Sequence, residues 1–488
     1  MNDFIASLML LGAMLSSDAY LPFWMTANQY GLMPERNGSL MVLSAETQYD
    51  ESATFQHRWG ASLGANSYNN PLDPGSSPAH VMVDQLYASL RWNGFTLDLG
   101  QKHRENDFLG ASPALGSLSV TGGHLVESGN ARPMPGYLVT MDPVAVPLTK
   151  EHFWLFGFYG DYKTTDNRYM KDALVHRMQL GFRLTPVRRL SLDFVIDHYA
   201  LWGGANPDGR SMNVNVENYL RVITGRHAGS DGTMSDRINV IGDHGGAELL
   251  RAAYKGDGWR LVAQHDIPYS DGSGMSFQNF PDGVNTLSFS WDDKARWISD
   301  VLYEYHYTMF QSGPIHVETF DENGNSTTPP GSKTYGMDNY FNNGEYKSAW
   351  SHHGRGICAP TFLPRGTYAG SWTSANMFTG FENNRYTGHH FGLGGKLFRK
   401  HPYKLMLTYT TNYGTYGKSY IGENPAQKEW GTVHETGLRQ VSGAFTGSFE
   451  NLAGVKGLSV IYGFYADKGS LLADQIGATL GIRYTLGR

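Results

Sequence analysis

Ile476-Gly-Ala-Thr-Leu-Gly-Ile-Arg-Tyr-Thr-Leu486 decides the fold, because its side chains alternate between two faces along its whole length. Ile476, Ala478, Leu480, Ile482, Tyr484 and Leu486 make an apolar face, against Gly477, Thr479, Gly481, Arg483 and Thr485 on the other. Alternation of period two is the signature of a strand. A soluble strand usually ends after about 5 or 6 residues, whereas one that crosses a bilayer at a tilt needs about 9 to 11. The window is of membrane length. The pattern returns in residues 174–184, 297–308 and 403–413, where Arg177, Gln179, Arg183, Asp300, Glu304, His306, Thr408 and Thr410 take the polar side. Polar residues toward a wet lumen, apolar residues toward lipid, and Tyr and Trp near the ends describe a transmembrane barrel strand.

Working outward, comparable windows predict about eighteen antiparallel strands. They lie near residues 5–15, 40–49, 55–65, 81–92, 95–101, 136–141, 152–159, 173–184 and 190–198, then 247–254, 259–265, 285–291, 297–308, 386–397, 403–416, 438–449, 458–466 and 474–486. Connections at 50–54, 93–94, 185–189, 255–258, 292–295 and 398–402 are short, whereas 102–135, 199–246, 309–385 and 417–437 are long and carry no transmembrane alternation. Short turns on one side and long loops on the other mark an all-β outer-membrane barrel whose short side is periplasmic. Closure also removes the edges that so many strands would expose. The expectation is one barrel domain over residues 1–488, its long loops either extracellular or folded into the lumen.

Residues 1–15 admit two readings. The apolar run from Phe4 to Leu15 has the length of a signal-peptide core, with Ser17-Asp18-Ala19 as a cleavage pattern, but its flank carries Asp3 and no Lys or Arg. Bacterial barrels have an even strand number, which favours residues 5–15 as the first strand, with a secretion signal lying upstream.

Composition agrees. Glycine supplies 59 of 488 residues, above the average of about 7%, and 24 Phe, 29 Tyr and 11 Trp favour sheet. A formal net charge of −6 offers nucleic-acid phosphates no basic surface. The lone cysteine, Cys358, excludes an internal disulfide and a cysteine-based zinc site.

The long loops carry the candidate binding residues. Residues 334–355 combine Tyr340 and Trp350 with Asp338, Asn339, Asn342, Asn343 and Arg355. A pyranose stacks its C–H face on an aromatic ring and pairs its hydroxyls with amides, carboxylates and guanidinium forks. The same residues also suit the small core of a folded loop, with Asn342 and Asn343 making turns. In the proline-braced segment from Ser128 to Pro135, Asn130 and Arg132 face the same choice: Arg132 suits an acidic sugar or a lumen carboxylate. Trp202, before Gly203-Gly204, marks a tight loop entry, as interface anchor or ligand platform.

No catalytic residue, metal site or cofactor is expected. Asp300, Glu304 and His306 share one side of a strand but spread over about 20 Å at roughly 3.3 Å per residue. Cys358 lies near His352 and His353 without a third group to orient a thiolate. His352-His353 and His389-His390 are adjacent pairs whose members face opposite ways in a strand.

Several segments resemble the capsule-assembly Wzi family of outer-membrane proteins. They are Pro22-Phe23-Trp24 with Ala27 to Leu32, Ser128 to Pro135, Asp197-His198 with Trp202-Gly203-Gly204, and Tyr303-Glu304-Tyr305 with Thr308 and Gln311-Ser312-Gly313. Asp338 to Asn343, His389 to Gly392 and Asn412 to Tyr416 complete the set, which spans most of the chain in the family's order. The resemblance implies an eighteen-stranded barrel in the cell outer membrane, surrounded by its lipid. It further implies a lectin that binds capsular polysaccharide or exopolysaccharide and helps it attach to the cell surface, without known catalysis and with other capsule-export components as candidate partners. The family's helical element at the periplasmic end has no counterpart here, so a plug must come from inward-folded loops. The alternative is a channel or transporter for sugars or other small solutes. Inward positions of both signs, Arg58, Arg91, Arg177, Arg183, Asp193, Asp197 and Arg260 among them, argue against a strongly charge-selective pore.

Overall fold

The computed structural model describes residues 4–18, 20–68, 77, 79–104, 113–211, 213–229, 232, 236–237, 240–270, 277–313, 322, 338–364, 380–415 and 437–487. An 18-stranded antiparallel sheet closes on itself. The strands are β1 Phe4–Ser16, β2 Gly38–Thr47, β3 Phe55–Tyr68, β4 Ala79–Trp92, β5 Phe95–Gln101, β6 Gly136–Ala145, β7 Phe153–Lys163, β8 Leu174–Val187 and β9 Leu190–Trp202. They continue as β10 Asp243–Lys255, β11 Trp259–Tyr269, β12 Gly283–Trp291, β13 Asp300–Tyr307, β14 Tyr386–Leu397, β15 His401–Asn412, β16 Leu438–Glu450, β17 Leu458–Gly469 and β18 Gln475–Leu486. Each pairs with its neighbours in sequence, and β1 closes the ring by pairing with both β2 and β18.

Alternation sorts the two faces. Leu180, Leu407 and Leu480 are 48%, 49% and 58% exposed on the outside, while their neighbours Gln179, Thr408 and Thr479 are buried in the lumen. A ring of exposed apolar side chains around a closed sheet is the lipid-facing band of an outer-membrane barrel. β1 does not alternate because both of its faces meet apolar surroundings: inward Leu11 and Met14 pack on a loop core with Trp24 and Met25. The turns at one end are short. Between β4 and β5, Asn93 and Gly94 both take positive φ, 46° and 76°, as a two-residue hairpin of matching twist requires.

Two local readings change. β13 begins at Asp300 rather than Trp297, because the preceding turn, closed by Arg296 N to Asp293 O, takes up the residues before Ser299, which already bonds to both neighbouring strands through Trp291 N and Gly394 O. Within 199–246 the chain forms a helix, α1 (Val216–Ile223), whose Asn215 side chain caps Asn218 N. α1 lies against the outside of the barrel near the long-loop rim, where Val222 and Tyr219 cover Ala200 and Trp202. Tyr416, and all of 417–437 except Gly437, lie outside the described residues.

Candidate functional site

Loops from the long-loop end fold inward and fill the lumen. The segment 20–36 buries Leu21, Phe23, Trp24 and Met25 against the wall. Trp24 Nε1 donates to Thr408 Oγ1 at 3.1 Å on β15, and Phe23 N to Asp467 Oδ2 at 2.9 Å on β17. The segment 117–135 crosses to the opposite wall. There Glu304 of β13 accepts from Ser119, Thr121 and Val120, Asp266 of β11 accepts from Leu125 N, and Gln264 donates to Gly123 O at 2.6 Å. Residues 338–364 close over both. The three segments join through Asn28 Nδ2 to Val120 O at 3.0 Å, Ser128 N to Ile357 O at 2.8 Å and Ala359 N to Leu125 O at 2.9 Å.

This pairing explains the polar lumen. A buried carboxylate is costly unless hydrogen-bonded or paired, and the wall acids find their partners on the loops. Arg177 of β8 bridges Asp197, at 2.9 Å, and the loop residue Glu127. His124 lies 3.2 Å from Asp197 and 3.9 Å from Asp266. Burial alone would lower its pKa, but the two carboxylates outweigh burial and raise it. Burial works the other way on Glu127, yet Arg177 and Arg104 hold its carboxyl below the ordinary range.

The sequence candidates fall into this assembly in different ways. Tyr340 and Trp350 are fully buried, so neither ring has a face free to stack on a sugar. Trp350 stacks on Tyr199 of β9 with centroids 3.8 Å apart and donates to Val126 O at 2.8 Å. Tyr340 donates to Asp282 Oδ2 at 2.5 Å. Asn342 exchanges hydrogen bonds with the Phe381 backbone at 2.7 and 2.9 Å, and Asn343 Nδ2 donates to Asp243 Oδ1 at 3.1 Å. Asn339 Oδ1 accepts from Asn342 and Asn384, and Asp338 accepts from Ser312. Asn130 is buried and donates to Gly356 O at 3.2 Å. Trp202 packs beneath α1, on the outer wall and away from the other candidates.

Arg132 and Arg355 come together half-buried, on either side of Gly31. Arg132 pairs with no carboxylate among the described residues; its Nη2 donates to Gly31 O at 3.5 Å and contacts Met82 Sδ. It lines a cleft of about 40 Å³ with Tyr30, Lys102, Arg104 and Met134. Below the loops, toward the short-turn end, lies a cavity of about 510 Å³. Lys102, Arg104 and Glu127 border both spaces.

Glu304 and His306 are 3.4 Å apart, but Glu304 holds the plug and His306 meets Tyr386 of β14, and Asp300 is tied to Ser290 and Lys294 at the far end of the strand. The Cys358 thiol is buried, which pushes its pKa well above the usual value. Among the described residues no cluster of three metal-ligating side chains forms. Sequence reasoning marked the inward charges but missed His124, Glu127 and Asp266 as plug anchors, since nothing local says which loop meets which wall. α1 was detectable from its cap, with Asn215 preceding Glu217 and Arg221 in the last turn.

No protein-family model and no curated protein matches the chain. Among solved structures it is similar to Wzi of Escherichia coli, an outer-membrane protein involved in group 1 capsule assembly and a carbohydrate-binding β-barrel. The TM-score is 0.53 at 12% identity, over 99% of this chain and 84% of that one. The likeness fixes the fold. The chain is an outer-membrane β-barrel. It also aligns with OccD3 of Pseudomonas aeruginosa, at TM-score 0.44 and 8% identity over 99% of this chain and 90% of that one. For OpdK of the same organism, solved with vanillate, the values are 0.46 and 10%, over 99% and 98%.

Proposed function

We propose that this barrel is a lectin of the outer membrane, which binds capsular polysaccharide or exopolysaccharide on its extracellular face and helps keep it at the cell surface. The observation that carries this reading is the loop plug. Three long loops are knitted to one another and to the wall, so they present a fixed surface outward rather than a passage. Arg132 and Arg355 beside Gly31 are the proposed contacts for acidic sugar substituents, with a guanidinium fork that suits a carboxylate. Tyr340, Trp350 and the asparagines around them hold the loops in shape for that contact. The carbohydrate binding of the similar E. coli barrel supports the proposal. A polymer offers many repeats to many barrels, so weak single sites suffice through avidity. Other capsule-export components are proposed neighbours.

The test compares surface-attached with shed polysaccharide in cells with and without the protein. Loss of the attached fraction on deletion is expected; an unchanged fraction would end the lectin reading. A second reading, a solute channel, is favoured by the cavity and cleft that meet at Arg104 and Glu127. Large, steady single-channel conductance in planar bilayers would select it.

A further inference from the structure

The cavity of about 510 Å³ beneath the plug takes no part in holding a polymer at the outer face, yet its wall is unusually furnished with cations. Its rim at the short-turn end includes Tyr49, Arg91 and Asp142, and its ceiling Lys102, Arg104 and Glu127. Arg58 projects inward from β3, with its guanidinium carbon 5.0 Å from the centre of the Tyr49 ring and 5.5 Å from that of Tyr87. No carboxylate among the described residues comes within salt-bridge distance of it. Arg91 lies 4.2 Å from the same Tyr49 ring, and its only acidic partner among the described residues, Glu51 at 3.4 Å, has a side chain 74% exposed and therefore screened by water.

The acids that line the cavity are otherwise occupied. Asp98 accepts from Ser89 and from Lys102, the latter at 2.7 Å. Glu127 and Asp197 are held by Arg177. Asp142 is exposed beside the Asn93-Gly94 turn. The wall thus keeps two guanidinium groups without buried counter-charges, both braced against one aromatic ring. Burial, with Arg58 and Arg104 nearby, lowers the Lys102 ammonium despite Asp98, so these cations repel one another and an arriving anion would relieve the repulsion.

We propose that this cavity is a binding site for a small organic anion, a carboxylate or phosphate ester entering from the periplasm, with Arg58 and Arg91 as its charged contacts. Several features favour it. The volume lies within the range of ligand sites, about 300 to 1,000 Å³. The lining carries acids as well as cations, but Asp98, Glu127 and Asp197 are already paired, which leaves the Arg58 and Arg91 guanidinium groups as the charges open to a ligand. Guanidinium forks match carboxylate and phosphate oxygens, and stacking on Tyr49 fixes the forks before the ligand arrives. Thr96, paired with Arg91 across β4 and β5, and Thr140 next to it on β6 supply hydroxyls for the rest of the molecule. The site does not depend on the polysaccharide reading: its proposed contacts, Arg58 and Arg91, line the cavity and not the Arg132 cleft, although Lys102, Arg104 and Glu127 border both spaces.

The experiment is calorimetric titration of the full purified chain in detergent micelles with glucuronate, glucose 6-phosphate and glucose, at low and moderate salt. At least one anion should bind saturably, weaken as salt rises, and outcompete neutral glucose. Arg58→Gln should weaken it about tenfold or more, and Arg91→Gln several-fold. Arg58→Lys, which keeps the charge and loses the fork, should fall between. Heat-modifiable gel migration checks that each variant is folded, and if Arg58→Gln is not, Arg91→Gln and Arg58→Lys decide the question. Binding of glucuronate alone assigns a carboxylate ligand, and of glucose 6-phosphate alone a phosphate. No saturable binding of either anion at millimolar concentration overturns the proposal, as does equal binding of glucose or undiminished binding by the folded variants.

Discussion

At the scale of single residues, the plug depends on a few side chains whose surroundings were assembled from distant parts of the chain. Trp350→Ala removes a fully buried ring that stacks on Tyr199 and a hydrogen bond to Val126 O. Large-to-small changes of this kind cost about 3–5 kcal/mol. The expected outcome is loosened loops in an intact barrel: faster protease cutting within 338–364, with heat-modifiable gel migration retained. Arg132→Ala, in a half-buried residue with weak internal contacts, should leave the cutting rate unchanged and reduce attached acidic polysaccharide. The ion cluster adds a pH dependence. His124 has a raised pKa in the folded state, so its contribution is fully present below the unfolded value of about 6.5 and is lost as pH rises through the folded one. Glu127, lowered, contributes above its unfolded value of about 4.3 and loses that contribution as pH falls through the folded one. Thermal unfolding of the purified protein should show stability declining on the alkaline side, and His124→Gln should flatten that limb.

At the scale of elements, α1 explains why polar side chains tolerate the outer wall. His176, His198 and His244 alternate with lumen residues and therefore point outward, yet all three are buried. His198 and His244 pair at 2.9 Å, His176 meets Asp161 at 2.9 Å, and Tyr219 of α1 donates to the same Asp161 at 2.6 Å. The helix shields from lipid a patch that a bare strand could not present there. Trp202→Ala should destabilise this patch by about 3–5 kcal/mol, read as a lower temperature of heat modification, whereas Val216→Ala, on the exposed side of α1, should not move it. The elements also record where sequence reading holds. Arg177 and Gln179 were assigned to the lumen from alternation alone and are buried there, because a pleated strand leaves a side chain only two faces. The same rule puts His176, next to Arg177, on the lipid side, and its cover by a helix some 40 residues further along the chain is beyond the reach of period-two patterning.

At the scale of the whole molecule, a barrel of this strand number encloses a lumen wide enough for water unless something fills it. The described loops fill it from the long-loop end. The purified protein should therefore show little steady conductance in planar bilayers. Glu304→Ala should raise it, since it strips the wall acceptor from Ser119, Val120 and Thr121 and frees the crossing segment. A quiet Glu304→Ala with unchanged protease resistance would mean that the plug is held elsewhere. Orientation has its own check: protease on intact cells should spare 292–295 and 398–400, the turns of the periplasmic end.

The sequence by itself determined the barrel. Strand number, closure, the sided arrangement of turns and loops, and the identity of the inward charges all follow from alternation and spacing, because these are local properties of a chain that must hide its backbone polar groups from lipid. It did not determine what the loops do. Tyr340 and Trp350 read as sugar platforms or, somewhat better, as loop core, and Arg132 as ligand contact or ion-pair partner. Only the tertiary structure decided that the two rings are sealed inside and that Arg132 has no acidic partner among the described residues. The reason is physical: burial and pairing in a plug are set by which loop segment meets which wall strand across the lumen, as Glu304 meets Ser119 and Asp266 meets Leu125, and no periodicity along the chain encodes those encounters.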